Sequence, residues 1–262
     1  MSADTQAVDA PEALQRRPAN AWRQLLRTEA RLFLREPTLI FWAIIFPLIL
    51  TIAMGVAGDR HDKQLGGLSL VDVYVPVAMA MVIAILAVTA VPMMLATYRE
   101  KGVLRRLSTT PMPPAALLAV DAALNVTMIV TATAVIAIVG RLAFGVHLPS
   151  QGLGFVLTMV LTVGAMLSLG TLVASVAKTT RIAQGLGTLL FFPMMFFAGL
   201  WVPRQQMSTG LRHVSDLTPL GAATAAIQDT MHGHWPGLGH VAVLAVYAIV
   251  LAFAASRMFR WE

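Results

Sequence analysis

Cysteine is absent from the chain, which excludes disulfides and thiolate chemistry and leaves the redox compartment open. Charge is scarce. Asp, Glu, Lys and Arg together make up 12% of the residues, about half the share usual in soluble domains. Lysine is scarcer still, confined to Lys63, Lys101 and Lys178. These follow Asp62, Glu100 and Ala177, whereas a loop that cradles phosphate needs glycine immediately before its lysine. A Walker A loop is therefore absent, and the chain is not expected to hydrolyse ATP alone. A His-Glu-x-x-His metal helix is also missing. His232, His234 and His240 could gather round a metal, but exposed loop histidines are the commoner arrangement, and no metal site is expected.

What is present is hydrocarbon. Apolar residues make up 57% of the chain, more than a soluble protein of 262 residues can hide in its interior. A bilayer solvates that surface instead, and a hydrocarbon core of about 30 Å needs roughly 20 apolar helical residues to cross it. Windows nearly free of charge place six spans at about 37–58, 73–98, 115–140, 152–177, 182–203 and 238–256, the third free of charge from Ala122 to Gly140 with Asp121 at the edge of that run. The runs are continuous, without the alternation of barrel strands, so the expected fold class is all-α integral membrane.

Positive charge sets the expected orientation. With the N-terminus inside, segments 1–37, 98–114, 178–181 and 257–262 hold 14 of the 19 Lys and Arg. Arg60, Lys63, Arg141, Arg204 and Arg212 remain outside. Both termini are therefore expected in the cytoplasm of a multi-pass inner-membrane protein. Residues 1–20 carry Asp4, Asp9 and Glu12 and no apolar run, unlike a secretory signal. Residues 1–19 read as a disordered tail, and 258–262 as a cytoplasmic one.

Three pieces do not span. Asn20 can cap a helix ending at Glu36, before Pro37. Arg23, Arg27, Arg31 and Arg35 recur at four-residue steps beside Trp22, Leu25, Leu26, Phe33 and Leu34, a pattern that suits an interfacial helix over 20–36. The loop after span two reads Tyr98-Arg99-Glu100-Lys101-Gly102-Val103-Leu104-Arg105-Arg106-Leu107. Its mix of charge with Val103, Leu104 and Leu107 suits either a short amphipathic helix exposed to the cytoplasm or a positive-inside anchor, and charge alone favours the anchor. Between the last two spans, Met207, Leu211 and Val214 form an apolar stripe, and Thr218-Pro219 signals a new helix start. The segment is too short to span, so a re-entrant or surface-lying helical hairpin is expected there. Asp121 is the acid nearest a span centre, and it either serves a function, snorkels to the interface or caps span three.

Across residues 20 to 257 the order of these parts resembles the permeases of ABC type-2 exporters, especially the daunorubicin-resistance-like drug-export permeases. Glu100-Lys101-Gly102 with the following Leu-Arg-Arg-Leu, and the stretch from Pro193 to Pro203, carry the resemblance most specifically. It implies a six-span permease working as a homodimer or with a related permease, and a separate cytosolic ATPase that holds ATP and Mg. This chain would bind no cofactor. It also implies that Arg99, Glu100, Lys101, Gly102, Leu104, Arg105, Arg106 and Leu107 couple the permease to the ATPase. The cargo would be hydrophobic or amphipathic: a drug, a lipid or a lipid-linked molecule. Phe192, Met195, Phe196 and Trp201 offer an aromatic and adaptable substrate path. The alternative functions are an ion-coupled carrier or channel without an ATPase, and an integral-membrane enzyme. Few ionisable groups lie near the midplane, and no paired catalytic groups share one depth, which weighs against both.

Overall fold

The structure is a computed structural model that describes residues 36–58, 65, 67–102 and 114–258, with the backbone alone at 114–118. The interfacial helix expected at 20–36, with Arg23, Arg27, Arg31 and Arg35, lies outside the described residues except for Glu36. So do Leu104, Arg105, Arg106 and Leu107 of the loop. Among the described residues every regular element is helical. Six helices are long and apolar enough to cross a membrane: α1 (Pro37–Ala57), α2 (Leu70–Glu100), α3 (described from Pro114 to Phe144), α4 (Gly152–Val176), α5 (Thr180–Ala198) and α8 (Leu238–Met258). Two short helices, α6 (Thr209–Leu217) and α7 (Pro219–Met231), form the hairpin before the last span.

Helix α2 is the axis of the molecule. Its most apolar stretch is 83% buried, against 33% or less for each of the other spans. It starts at Leu70, because Ser69 and Asp72 form a capping box that satisfies the first free N–H groups. Its core residues, from Val71 to Val88, meet Ile129 and Ile136 of α3, Ala165 and Met166 of α4, and Leu220 and Ile227 of α7. A helix apolar on every side is buried on every side, which is the outcome for α2.

Two helices widen locally into π turns, Phe41–Ile45 in α1 and Ile85–Ala90 in α2. Each lies just ahead of a proline, Pro47 and Pro92. Proline donates no N–H, and its ring crowds the carbonyl four residues back, here Ala43 and Val88. One wider turn relieves that crowding without breaking the helix.

The hairpin before α8 divides into an exposed helix and a buried one. In α6 only Ser215 is buried, and Val214 and Leu217 are exposed. In α7 every residue except Gln228 and Asp229 is buried, between α2, α4, α5 and α8. Its 13 residues reach about 20 Å, too short for a bilayer of about 30 Å. The corner is tight. The Thr218 hydroxyl donates to the Ser215 carbonyl at 2.8 Å and accepts from Gly221 N–H at 3.2 Å. A Cβ at Gly221 would lie inside van der Waals contact with the Ser215 carbonyl oxygen. Gly221→Ala is therefore expected to destabilise the fold by about 1–3 kcal/mol. Thermal unfolding of the detergent-solubilised variant checks this, and an unchanged midpoint would show that the corner yields.

Candidate functional site: the two ends of the bundle

At one end, the last turn of α2 grips the junction between α4 and α5. The Arg99 guanidinium donates through Nη1 to the carbonyls of Ala174 and Ala177, at 3.0 and 2.8 Å. These carbonyls lie at the C-terminus of α4, where unpaired oxygens carry the negative end of the helix dipole. The adjacent Glu100 carboxylate accepts from Thr180 N–H and from the Thr180 hydroxyl, both at 2.9 Å. Thr180 opens α5, so the carboxylate meets the positive end of that helix. Ala96, Ala177 and Ala183 pack beneath the pair, small enough for the three helix ends to approach closely.

Gly102 follows with φ +66°, a left-handed conformation that glycine adopts without strain. Arg99, Glu100, Lys101 and Gly102 are thus the visible root of the loop singled out in the sequence. Both oxygens of Glu100 are engaged within the chain, so its ties run to α5 and not only outward to a docking surface. The partners Ala174, Ala177 and Thr180 were missed at the sequence level. The local signal is Thr179-Thr180 after Lys178, an N-cap pattern, and the Thr179 hydroxyl does accept from Ile182 N–H at 3.3 Å.

The opposite end is held by a polar network. Arg204 pairs with Asp216, and its Nη1 lies 3.4 Å from the Ser215 hydroxyl. That hydroxyl donates to the Phe197 carbonyl at 2.7 Å. His240 Nε2 lies 3.2 Å from Asp216, and its Nδ1 lies 3.9 Å from Asp229. The network joins α5, α6, α7 and α8. His240 thus serves the hairpin, and among the described residues no group of three or more His, Asp or Glu is placed to hold a metal.

The aromatic residues separate into two sets. Phe192 and Trp201 are each about half exposed, and their rings lie 6.1 Å apart. Phe196 is partly buried. Met195, read from the sequence as part of the same path, is fully buried in the core. The open face of α5 carries Arg181, Gln184, Gly185, Thr188, Leu189 and Phe192, all exposed along one helical stripe. Gln184 and Thr188 stand out there, because polar groups on a span normally find a partner away from lipid.

Asp121 is buried, and its carboxyl accepts from Asn125 Nδ2 at 3.0 Å. It lies within α3, which is described from Pro114, seven residues earlier, so it does not cap the start of that helix.

Residues 20–232 match the ABC-2 type transporter family. The chain is also similar to Nodulation protein J of Bradyrhizobium diazoefficiens, with 32% identity over 105 residues. That alignment covers 39% of this chain and 40% of the relative's length.

Proposed function

The chain belongs to the ABC-2 type transporter family, and on that premise we propose that it is the permease of an ATP-driven exporter of hydrophobic or amphipathic molecules. In this family the chain is a transport subunit of an ABC transporter and not itself a catalyst. The sequence agrees, since no lysine follows a glycine. Hydrolysis then falls to a cytosolic ATPase chain that holds ATP and Mg and docks on the loop rooted at Arg99–Gly102.

The observation that carries this reading is the grip of Arg99 and Glu100 on the α4–α5 junction. A push on the loop reaches α5 directly, without passing through the length of α2. Helix α5 bears the polar and aromatic face left open in the single chain. That face is the proposed contact with a second permease, either a copy of this chain or a related one. The cargo path runs along it, past Phe192 and Trp201 with Phe196 at its margin, while Met195 belongs to the core. Burying Gln184 and Thr188 in such an interface gives them partners that lipid does not offer.

In this arrangement the Glu100 end faces the cytoplasm of an inner-membrane protein. The native chain has no cysteine, so introduced thiols report without background. In intact cells an impermeant thiol reagent is expected to label Gln206→Cys and to spare Lys178→Cys, both at exposed positions. The reverse pattern would overturn the orientation and, with it, the role given to the loop.

A further inference from the structure

A groove of about 680 Å³ runs along the open face of α5, a volume within the roughly 300–1,000 Å³ of ligand sites. Its wall changes character along the helix. Arg181 stands in the first turn, Gln184 and Thr188 follow, and Leu189 and Phe192 lie furthest along. All five are exposed. Gly185 lies among them, and a Cβ there would meet nothing within 4 Å, so the groove is unfilled at that point. No acid lines it. Arg181 has no ion-pair or hydrogen-bond partner among the described residues, and neither do the side chains of Gln184 and Thr188. Glu100 reaches the same helix start, but both of its oxygens are held by Thr180, and the exposed Lys178 and Arg181 outweigh it there. A groove with an unpaired cation at one end and hydrocarbon at the other matches the two ends of an amphiphile.

We infer that this groove takes an amphiphile with an anionic head, and that Arg181 selects the sign of that head. A guanidinium meets a phosphate or carboxylate through two parallel N–H···O bonds. Gln184 and Thr188 supply the next hydrogen bonds, and the hydrocarbon lies along Leu189 and Phe192. A cationic head is disfavoured, because Arg181 repels it and the groove holds no carboxylate to receive it. A residue that merely anchors positive charge inside requires no groove beside it. The guest's part as cargo rests on the transport reading above. With the Glu100 end in the cytoplasm, Arg181 stands at the level of the inner leaflet, where a lipid likewise keeps its head outward and its chain toward the midplane. Two sources offer this chemistry: an anionic membrane lipid, and a small anionic amphiphile dissolved in that leaflet.

The test needs no ATPase. The purified full-length chain in neutral detergent is titrated with dodecyl phosphate and with dodecylamine, which share a chain and differ in the sign of the head. The wild type is expected to prefer the phosphate by roughly ten-fold, the scale of hydrogen bonds to a charged group. Arg181→Gln is expected to lose most of that preference, Arg181→Lys to keep part of it, and Arg212→Gln, which removes the same charge from the exposed face of α6, to keep it all. Should Arg181→Gln fail to fold, Gly185→Leu, which fills the groove with Arg181 intact, is expected to weaken phosphate binding in a chain that elutes as the wild type does. In a parallel arm the chain is extracted from bilayers of phosphatidylcholine with and without phosphatidylglycerol, and retained lipid is identified by mass spectrometry. Selective retention of phosphatidylglycerol, lost in Arg181→Gln, supports the proposal with the membrane as source. Preference for dodecyl phosphate without lipid retention supports it with a small amphiphile as source. Equal affinity for the two heads in the wild type, an unchanged preference in Arg181→Gln, the same loss in Arg212→Gln, or undiminished binding in Gly185→Leu overturns it. ATP-driven transport beside an unchanged preference would sink this inference and leave the transport reading standing, whereas lost preference in a chain that no ATPase joins would do the reverse.

Discussion

Gly170→Ala is expected to prevent the chain from accumulating as a folded membrane protein. At this position α4 lies directly on the π turn of α2. A Cβ at Gly170 would overlap the Ala87 carbonyl oxygen and sit 2.9 Å from its carbonyl carbon. Both obstacles are backbone, so no side-chain rotation relieves them. The helices would have to part along the most buried element of the molecule. Overpacking a core typically costs about 1–3 kcal/mol, and a clash between two backbones belongs at or above the top of that range. Three kcal/mol corresponds to roughly a hundred-fold shift toward unfolded chains. Gly164→Ala on the same helix is the control. Its Cβ would meet nothing nearer than Ala248 at 3.9 Å, an ordinary contact, and the change is expected within about 0.5 kcal/mol of neutral. Monodisperse yield after detergent extraction, with thermal unfolding of what survives, separates the two. Equal behaviour would mean that α2 and α4 are not packed as described.

Glu100→Ala is expected to uncouple transport while leaving both insertion and ATPase binding in place. The carboxylate is exposed, so its bonds to Thr180 add less than about 1 kcal/mol of stability at a helix N-terminus. Their weight is mechanical: they join the root of the loop to α5. Coupled ATP hydrolysis by the assembled transporter is expected to fall by about ten-fold, equivalent to 1.4 kcal/mol of lost coupling. Thr180→Val removes one of the two bonds and is expected to reproduce part of that loss. In the double variant the losses should not add, because both changes delete the same contact. Additive losses, or loss of ATPase binding with Glu100→Ala, would return Glu100 to a docking role on the outer surface of the loop.

The spans were legible in the sequence because a bilayer imposes a plain rule, long runs without charge, and the runs from Pro37 and from Leu238 follow it. The hairpin was legible at one residue pair, Thr218-Pro219, where a hydroxyl cap and a proline at the first helical position coincide. Inward and outward faces were much less legible. In a soluble helix Met195 and Phe192 would be told apart by polar neighbours, but lipid and protein interior are both apolar, so the hydrophobic pattern carries little contrast. Gln184 and Thr188, with Arg181 at the helix start, mark the open side of α5, and they do so by being polar. The π turns were half visible. Pro47 and Pro92 announce a disturbance, but whether a helix kinks, breaks or widens depends on what packs beside it, here Gly170 and Gly187 against α2. The grip of Arg99 and Glu100 could not be read at all, because its partners lie about 80 residues further along the chain.

The central claim is that this chain moves its cargo by borrowing hydrolysis from another chain, and one measurement reaches it directly. The tagged full-length protein is purified from its native membrane, and ATP hydrolysis is assayed before and after stripping of associated chains. The intact complex is expected to contain a chain with a phosphate-binding P-loop and to hydrolyse ATP. The stripped permease should show none, and re-adding that chain should restore the activity. Sustained hydrolysis by the stripped permease, or cargo flux driven by an ion gradient in its proteoliposomes without ATP, would contradict the account.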